Sequence, residues 1–156
     1  MTSQAHHDFI HFAMCMRKLN DAWATLHAVR ESGDGPLIGP AFRFALVEYA
    51  TPYTASYDLA KKRYILDNRY VPSDLVELHK RIVDARHTVH AHADMSVADA
   101  KLYVTVTQGR PSAQISSNYI HGLEELPNIE EIIRLVEGTL DNMYGDQESR
   151  LAALQP

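Results

Sequence analysis

His7-Asp8-Phe9-Ile10-His11-Phe12-Ala13-Met14-Cys15-Met16-Arg17-Lys18-Leu19-Asn20-Asp21-Ala22-Trp23-Ala24-Thr25-Leu26-His27-Ala28-Val29-Arg30-Glu31 is the stretch that decides the fold class. Phe9, Phe12, Met16, Leu19, Trp23 and Leu26 recur at spacings of three and four, which is one apolar stripe along a helix. Arg17, Lys18, Asp21 and Arg30 fall between them and can face water. Ser32-Gly33-Asp34-Gly35-Pro36 ends the helix, because glycine and proline both punctuate helices. A second helix is predicted to begin near Pro40, a residue tolerated in a first turn, and to break at Pro52. From Thr54 to Val71 the chain reads as an irregular, tyrosine-rich connection. A third helix starts after Pro72, with Asp74 and Glu77 as a capping box and with Leu75, Leu78, Ile82 and Val89 as its seam.

The period then changes. Leu102, Val104 and Val106 alternate with Tyr103, Thr105 and Thr107, and Gln108-Gly109-Arg110-Pro111 supplies a turn. A single hairpin over about 101–120 follows; being marginal alone in water, it must pack on the helices or on a second subunit. A last helix is predicted from Asn128 as N-cap, with Glu131 three residues on. Its stripe is Ile129, Ile132, Ile133, Val136, Leu140 and Met143; Gly145 is expected to close it and 147–156 to be a short extra turn or a frayed tail. The expected fold is therefore mostly α: an up-and-down bundle of about four helices, one domain over 1–156, with one β-hairpin inserted before the last helix.

Composition is ordinary for a globular chain, with 46% hydrophobic and 22% charged residues. No apolar run is long enough to cross a membrane, and the first residues lack a basic start followed by an apolar run. With a single cysteine, Cys15, there is no internal disulfide framework. These readings give a cytoplasmic location and no membrane partner. Net charge is −5, which argues against broad duplex binding. Lys61, Lys62, Arg63 and Arg69 nevertheless form a local basic patch, readable as a phosphate-contacting loop or as a solvated turn.

Arg86-His87-Thr88-Val89-His90-Ala91-His92-Ala93-Asp94 is expected to do chemistry, to bind a ligand or to hold a buried polar network together. Advancing 100° per residue puts Arg86 almost on top of Leu75 and Ile82, on the buried side, with His79 and His90 flanking it. A buried guanidinium needs a partner, because an unpaired buried charge is costly. Three explanations stand open. The first is structural: Arg86 pairs with Glu48, Asp84 or a backbone carbonyl. The second is a metal site from His87, His90 and Asp94, imidazole with carboxylate suiting zinc or another first-row ion; no His-Glu-x-x-His partner motif accompanies it. The third is acid–base chemistry on a phosphodiester, with the planar Arg86 fork on phosphate oxygens and His92 exchanging a proton near neutral pH. Gly33-Asp34-Gly35-Pro36-Leu37-Ile38-Gly39 lies between helices rather than after a strand, so it is no phosphate cradle.

Arg86, five residues, then Ala91-His92 on a late helix resembles the HEPN superfamily, whose signature is Arg, four to six residues, then His. The Ala91-His92-Ala93-Asp94 ending and the upstream Pro52-Tyr53-Thr54 step resemble a set of bacterial HEPN-like proteins, over about Tyr49 to Asp94. The resemblance implies a helical bundle that dimerises, with Arg and His of both subunits lining one cleft. It further implies a metal-independent endoribonuclease of toxin or anti-phage type needing no cofactor, or a non-catalytic nucleotide- or protein-binding module. Carried across, Arg86 would stabilise phosphate charge and His92 would be the acid or base. His90, His87, Asp94 and Tyr53 would orient the ligand, Lys61, Lys62 and Arg63 would touch phosphates, and an antitoxin-like protein would be a partner. His87 is a departure, since members that cut RNA usually carry a small polar residue after the arginine.

Overall fold

A computed structural model describes residues 4–57, 61–86, 101–107, 109–116 and 123–154. Its described residues form four α-helices and two small antiparallel strand pairs. Helix α1 spans Gln4–Ser32 and buries Phe12, Cys15, Met16, Leu19, Ala22, Leu26 and Val29, a single stripe at helical spacing. Trp23, expected in that stripe, sits at its margin instead, 38% exposed, with its indole N–H donating to Glu137 at 2.9 Å. The helix stops at Gly33, whose φ of +65° is a left-handed conformation that glycine adopts without a Cβ penalty.

Helix α2, Ile38–Ala50, follows after five residues, so it runs back antiparallel along α1. Pro40 lies in its first turn as expected. After α2 the chain tightens into the turn Thr51–Tyr53. The connection beyond it is less irregular than the sequence suggests. Strands β1, Ser56–Tyr57, and β2, Arg63–Tyr64, pair antiparallel, and Leu66, Tyr70, Val71 and Leu75 are all buried. The Leu66 amide donates to the Pro52 carbonyl at 2.8 Å, and Asn142 holds the Tyr70 carbonyl at 2.9 Å. Apolar anchors thus make this long connection part of the core.

Helix α3 spans Val76–Ala85, and Arg86 is its C-cap with helical φ and ψ. The expected capping box does not form. No side chain caps α3; Glu77 pairs with Lys80 and Asp74 with Arg134. A short 3₁₀ turn, Ser73–Leu75, winds into the helix and displaces the cap position from Asp74. The same holds for α4, Ile129–Ala152. Asn128 precedes it, but its side chain donates to Glu125 at 2.8 Å rather than capping.

Helix α4 also runs through Gly145 to Ala152, so neither the expected stop nor fraying over 147–152 is found. A glycine inside a helix costs only about 1 kcal/mol, and Asp146 anchors the turn beyond it. That carboxylate accepts from Tyr70, from Arg69 at 2.7 Å and from Arg150 at 2.8 Å, which holds its pKa well below the ordinary carboxylate range. Contacts of Asn20 with Tyr144, Trp23 with Glu137 and Arg30 with Glu130 show α4 lying antiparallel to α1. Helix α1 is accordingly the central element, flanked by α2 and α4, and one core joins it to Leu78 and Ile82 of α3. The mostly α fold with a hairpin before the last helix is as read from the sequence.

That hairpin consists of β3, Lys101–Thr107, and β4, Arg110–Ser116, in antiparallel register with Leu102 opposite Ile115 and Val104 opposite Ala113. Gly109 supplies the turn at φ +76°. No helix among the described residues is long and apolar enough to cross a membrane.

Candidate functional site

Arg86 closes α3 on the side that buries Leu75, Leu78 and Ile82, as the helical angle required. The residue is half-buried, its Nε is shut from solvent, and that Nε has no hydrogen-bond partner among the described residues. Of the internal partners expected for Arg86, Glu48 is committed elsewhere. Its carboxylate, 7% exposed, takes both oxygens to Lys18 Nζ, at 2.8 and 3.0 Å. A guanidinium N–H withdrawn from water and unpaired costs about 1–3 kcal/mol. An anionic ligand would offset that cost. His87, His90, His92 and Asp94 lie outside the described residues.

A buried polar cluster that the sequence reading missed joins α3, the helix that Arg86 closes, to α2 and the turn after it. The Tyr49 hydroxyl and His79 Nδ1 share a hydrogen bond of 2.9 Å. The Tyr53 ring stands edge-on to the His79 ring at 4.4 Å and tilted to Tyr49 at 5.6 Å. Tyr53 is buried, and its hydroxyl, near Tyr49 and Thr139, completes no hydrogen bond among the described residues. Burial pushes both phenols up from their ordinary pKa and lowers that of His79, with Asp84 opposing and Lys80 reinforcing the imidazole shift. The imidazole is therefore neutral at pH 7. Its sequence signal was the position of His79 beside Ile82 on the apolar face.

The basic loop takes a different position. Lys61, Lys62 and Arg63 are exposed, Lys61 at a φ of +60°. Lys62 pairs with Asp8 at 3.2 Å near the start of α1 and lies over the Tyr64 ring. Lys62 and Arg63 line a small cavity of about 220 Å³ with Asp8, Asp67, Tyr70 and Arg150. Arg86 and Tyr53 line neither this cavity nor the larger one described next. The expected convergence of loop, Tyr53 and Arg86 on one pocket is thus not seen among the described residues, because Tyr53 turns into the core and the loop folds onto α1.

The larger cavity, about 510 Å³, opens between the first half of α1 and the β1–β2 pair. His7, His11, Cys15 and Lys18 line one wall, with Ile10 and Met14; Pro52, Tyr57 and Tyr64 close the other. Spacings of three and four on α1 place those residues on one face beside the core stripe, and this was the signal available in the sequence. His11 is half-buried, with its ring 5.2 Å from Tyr64 and its pKa lowered by burial against the pull of Asp8. Cys15 Sγ lies 3.5 Å from His11 Nε2. Burial pushes that thiol up to about 12, so it is protonated and unreactive at neutral pH, as expected from its setting between two methionines. Among the described residues no group of three His, Cys, Asp or Glu side chains is gathered for a metal ion.

No family model matches this chain, and no curated protein or solved structure does either.

Proposed function

We propose that the chain is a cytoplasmic HEPN-like protein whose chemistry, metal-independent cleavage of RNA, centres on Arg86 and His92. One observation carries this reading: Arg86 has a solvent-shielded Nε with no partner among the described residues, while the carboxylate of Glu48 is held by Lys18. A planar guanidinium fork with its Nε unpartnered among the described residues is suited to a phosphate. His92, six residues on, would exchange the proton between the 2′-hydroxyl and the leaving oxygen. In this reading two copies pair, each contributing its arginine and histidine to a shared cleft, and an antitoxin-like protein would restrain the enzyme.

The test is incubation of mixed RNA with the protein in EDTA, beside Arg86→Ala and His92→Ala. Cleavage that persists under chelation and falls roughly 100-fold or more in each variant is the expected result. Absence of cleavage by the native chain, or cleavage by either variant equal to that of the native chain, removes the reading. Stoichiometric zinc that is lost on His90→Ala would favour the metal site of His87, His90 and Asp94 instead.

The larger cavity favours a second reading, a non-catalytic nucleotide-binding module. Its volume lies in the range of small-molecule sites, and the rings of Tyr57, Tyr64 and His11 beside Lys18 are groups on which a base stacks. A nucleotide-dependent rise in melting temperature that is abolished by Tyr57→Ala would support it.

A further inference from the structure

The polar groups in the wall of the larger cavity are already engaged within the chain. Lys18 carries the only permanent charge among the described lining residues, and its ammonium donates to both oxygens of the buried Glu48, at 2.8 and 3.0 Å. The Thr51 hydroxyl donates to the Val47 carbonyl at 2.7 Å, and Ser56 Oγ donates to the Tyr64 carbonyl at 3.5 Å. The Tyr64 hydroxyl accepts from Gln4 Nε2 at 3.3 Å. The protonated Cys15 thiol lies 3.5 Å from His11 Nε2, and burial keeps that imidazole neutral at pH 7. What the wall still offers is apolar and flat. Ile10, Met14 and Tyr57 line the cavity while 52–64% exposed, and the Tyr64 ring stands 5.2 Å from that of His11.

We infer that this cavity recognises an uncharged planar ring of nucleobase or nucleoside size, and that a phosphate on the ligand adds nothing to its affinity. The inference rests on the nucleotide-binding reading of this cavity and narrows it to the part of the ligand that is held. A phosphate would meet an ammonium that Glu48 has already neutralised, with the carboxylate behind it repelling a second anion. Placed against Ile10 and Met14 instead, it would be a charge withdrawn from water without a partner, which is costly. A neutral ring faces neither penalty. It stacks on tyrosine and histidine rings, a contact that every base can make because each has a π-face, and the neutral His11 imidazole meets one polar atom at its edge. The volume of about 510 Å³ lies within the range of small-molecule sites and accepts a fused ring with its sugar. In a nucleotide the phosphate then stays outside, in water. The inference is independent of any chemistry at Arg86, which does not line the cavity.

The test is titration of the full chain with adenosine, guanosine, cytidine and uridine, each beside its 5′-monophosphate, followed by calorimetry and by melting temperature. At least one nucleoside is expected to bind, with its monophosphate less than about threefold tighter. Raising sodium chloride from about 50 to about 500 mM should change either affinity less than about twofold, because stacking, unlike an ion pair, is not screened. Tyr57→Ala should weaken the nucleoside and the monophosphate alike, by at least about tenfold. Tyr57 contributes nothing to the core, so this variant should keep the native helical circular dichroism. A monophosphate about threefold or more tighter than its nucleoside, or a larger loss in salt, overturns the inference and leaves the nucleotide-binding reading standing. Binding by none of the eight compounds up to about 5 mM, or binding that Tyr57→Ala leaves unchanged, removes both.

Discussion

His79 shows how one side chain's setting becomes a property of the whole protein. It is 4% exposed, bonded to the Tyr49 hydroxyl, and its pKa is lowered chiefly by burial. In the unfolded chain a histidine takes up its proton near pH 6.5, whereas the folded imidazole resists protonation to lower pH. The unfolded state therefore binds more protons as pH falls below about 6.5, and stability drops through that window. His11, also lowered by burial, adds in the same direction. The urea midpoint should fall between pH 7.5 and pH 5, and the fall should be smaller in His79→Gln. An unchanged pH dependence in that variant would mean that the buried imidazole is not the group responsible.

Helix α4 permits a sharper comparison, because two of its glycines differ only in their surroundings. A Cβ on Gly138 would lie 2.6 Å from Pro72 Cγ, in a ring that cannot swing away. A Cβ on Gly145 would meet nothing within 4 Å. Alanine gains about 1 kcal/mol over glycine inside a helix, while overpacking costs about 1–3 kcal/mol. Gly145→Ala should therefore raise stability by about 0.5–1 kcal/mol. Gly138→Ala should lower it by about 1 kcal/mol, since the clash outweighs the propensity. Denaturant midpoints of the two variants decide the matter, and a stabilised Gly138→Ala would show that Pro72 can yield. Gly138 thus marks where the connection before α3 presses on α4, a contact no local pattern announces.

At the scale of the molecule, α1 joins the structure: α2 packs on one flank, α4 on another, and Trp23 bridges to α4 through Glu137 while its ring lies 4.4 Å from that of His27. As the only tryptophan, it reports the α1–α4 contact directly. With one continuous core, the bundle should unfold as a unit, so Trp23 fluorescence and helical circular dichroism should give coincident urea transitions. Separated transitions would mean that α4 detaches before the rest melts. Among the described residues the β3–β4 hairpin contributes no side chain to this core.

Elements were legible where a residue's own neighbours in the chain determine its behaviour. Phe12, Met16, Leu19 and Leu26 of the α1 stripe and Leu75, Leu78 and Ile82 of the α3 seam follow a periodicity that burial enforces, and the alternation over 102–107 is the period of a strand, so all three can be read directly from the sequence. The inward angle of Arg86 came from the same geometry. What the sequence could not decide was competition between partners distant in the chain. Glu48 was taken by Lys18, Asp74 by Arg134 rather than a helix cap, Tyr53 turned into the core, and α4 continued past Gly145 because Tyr70, Arg69 and Arg150 bind Asp146. Hydrogen bonds and ion pairs between remote residues depend on distances that exist only after the helices have packed, and these determine which polar groups are satisfied and which, like the Arg86 Nε, have no partner among the described residues.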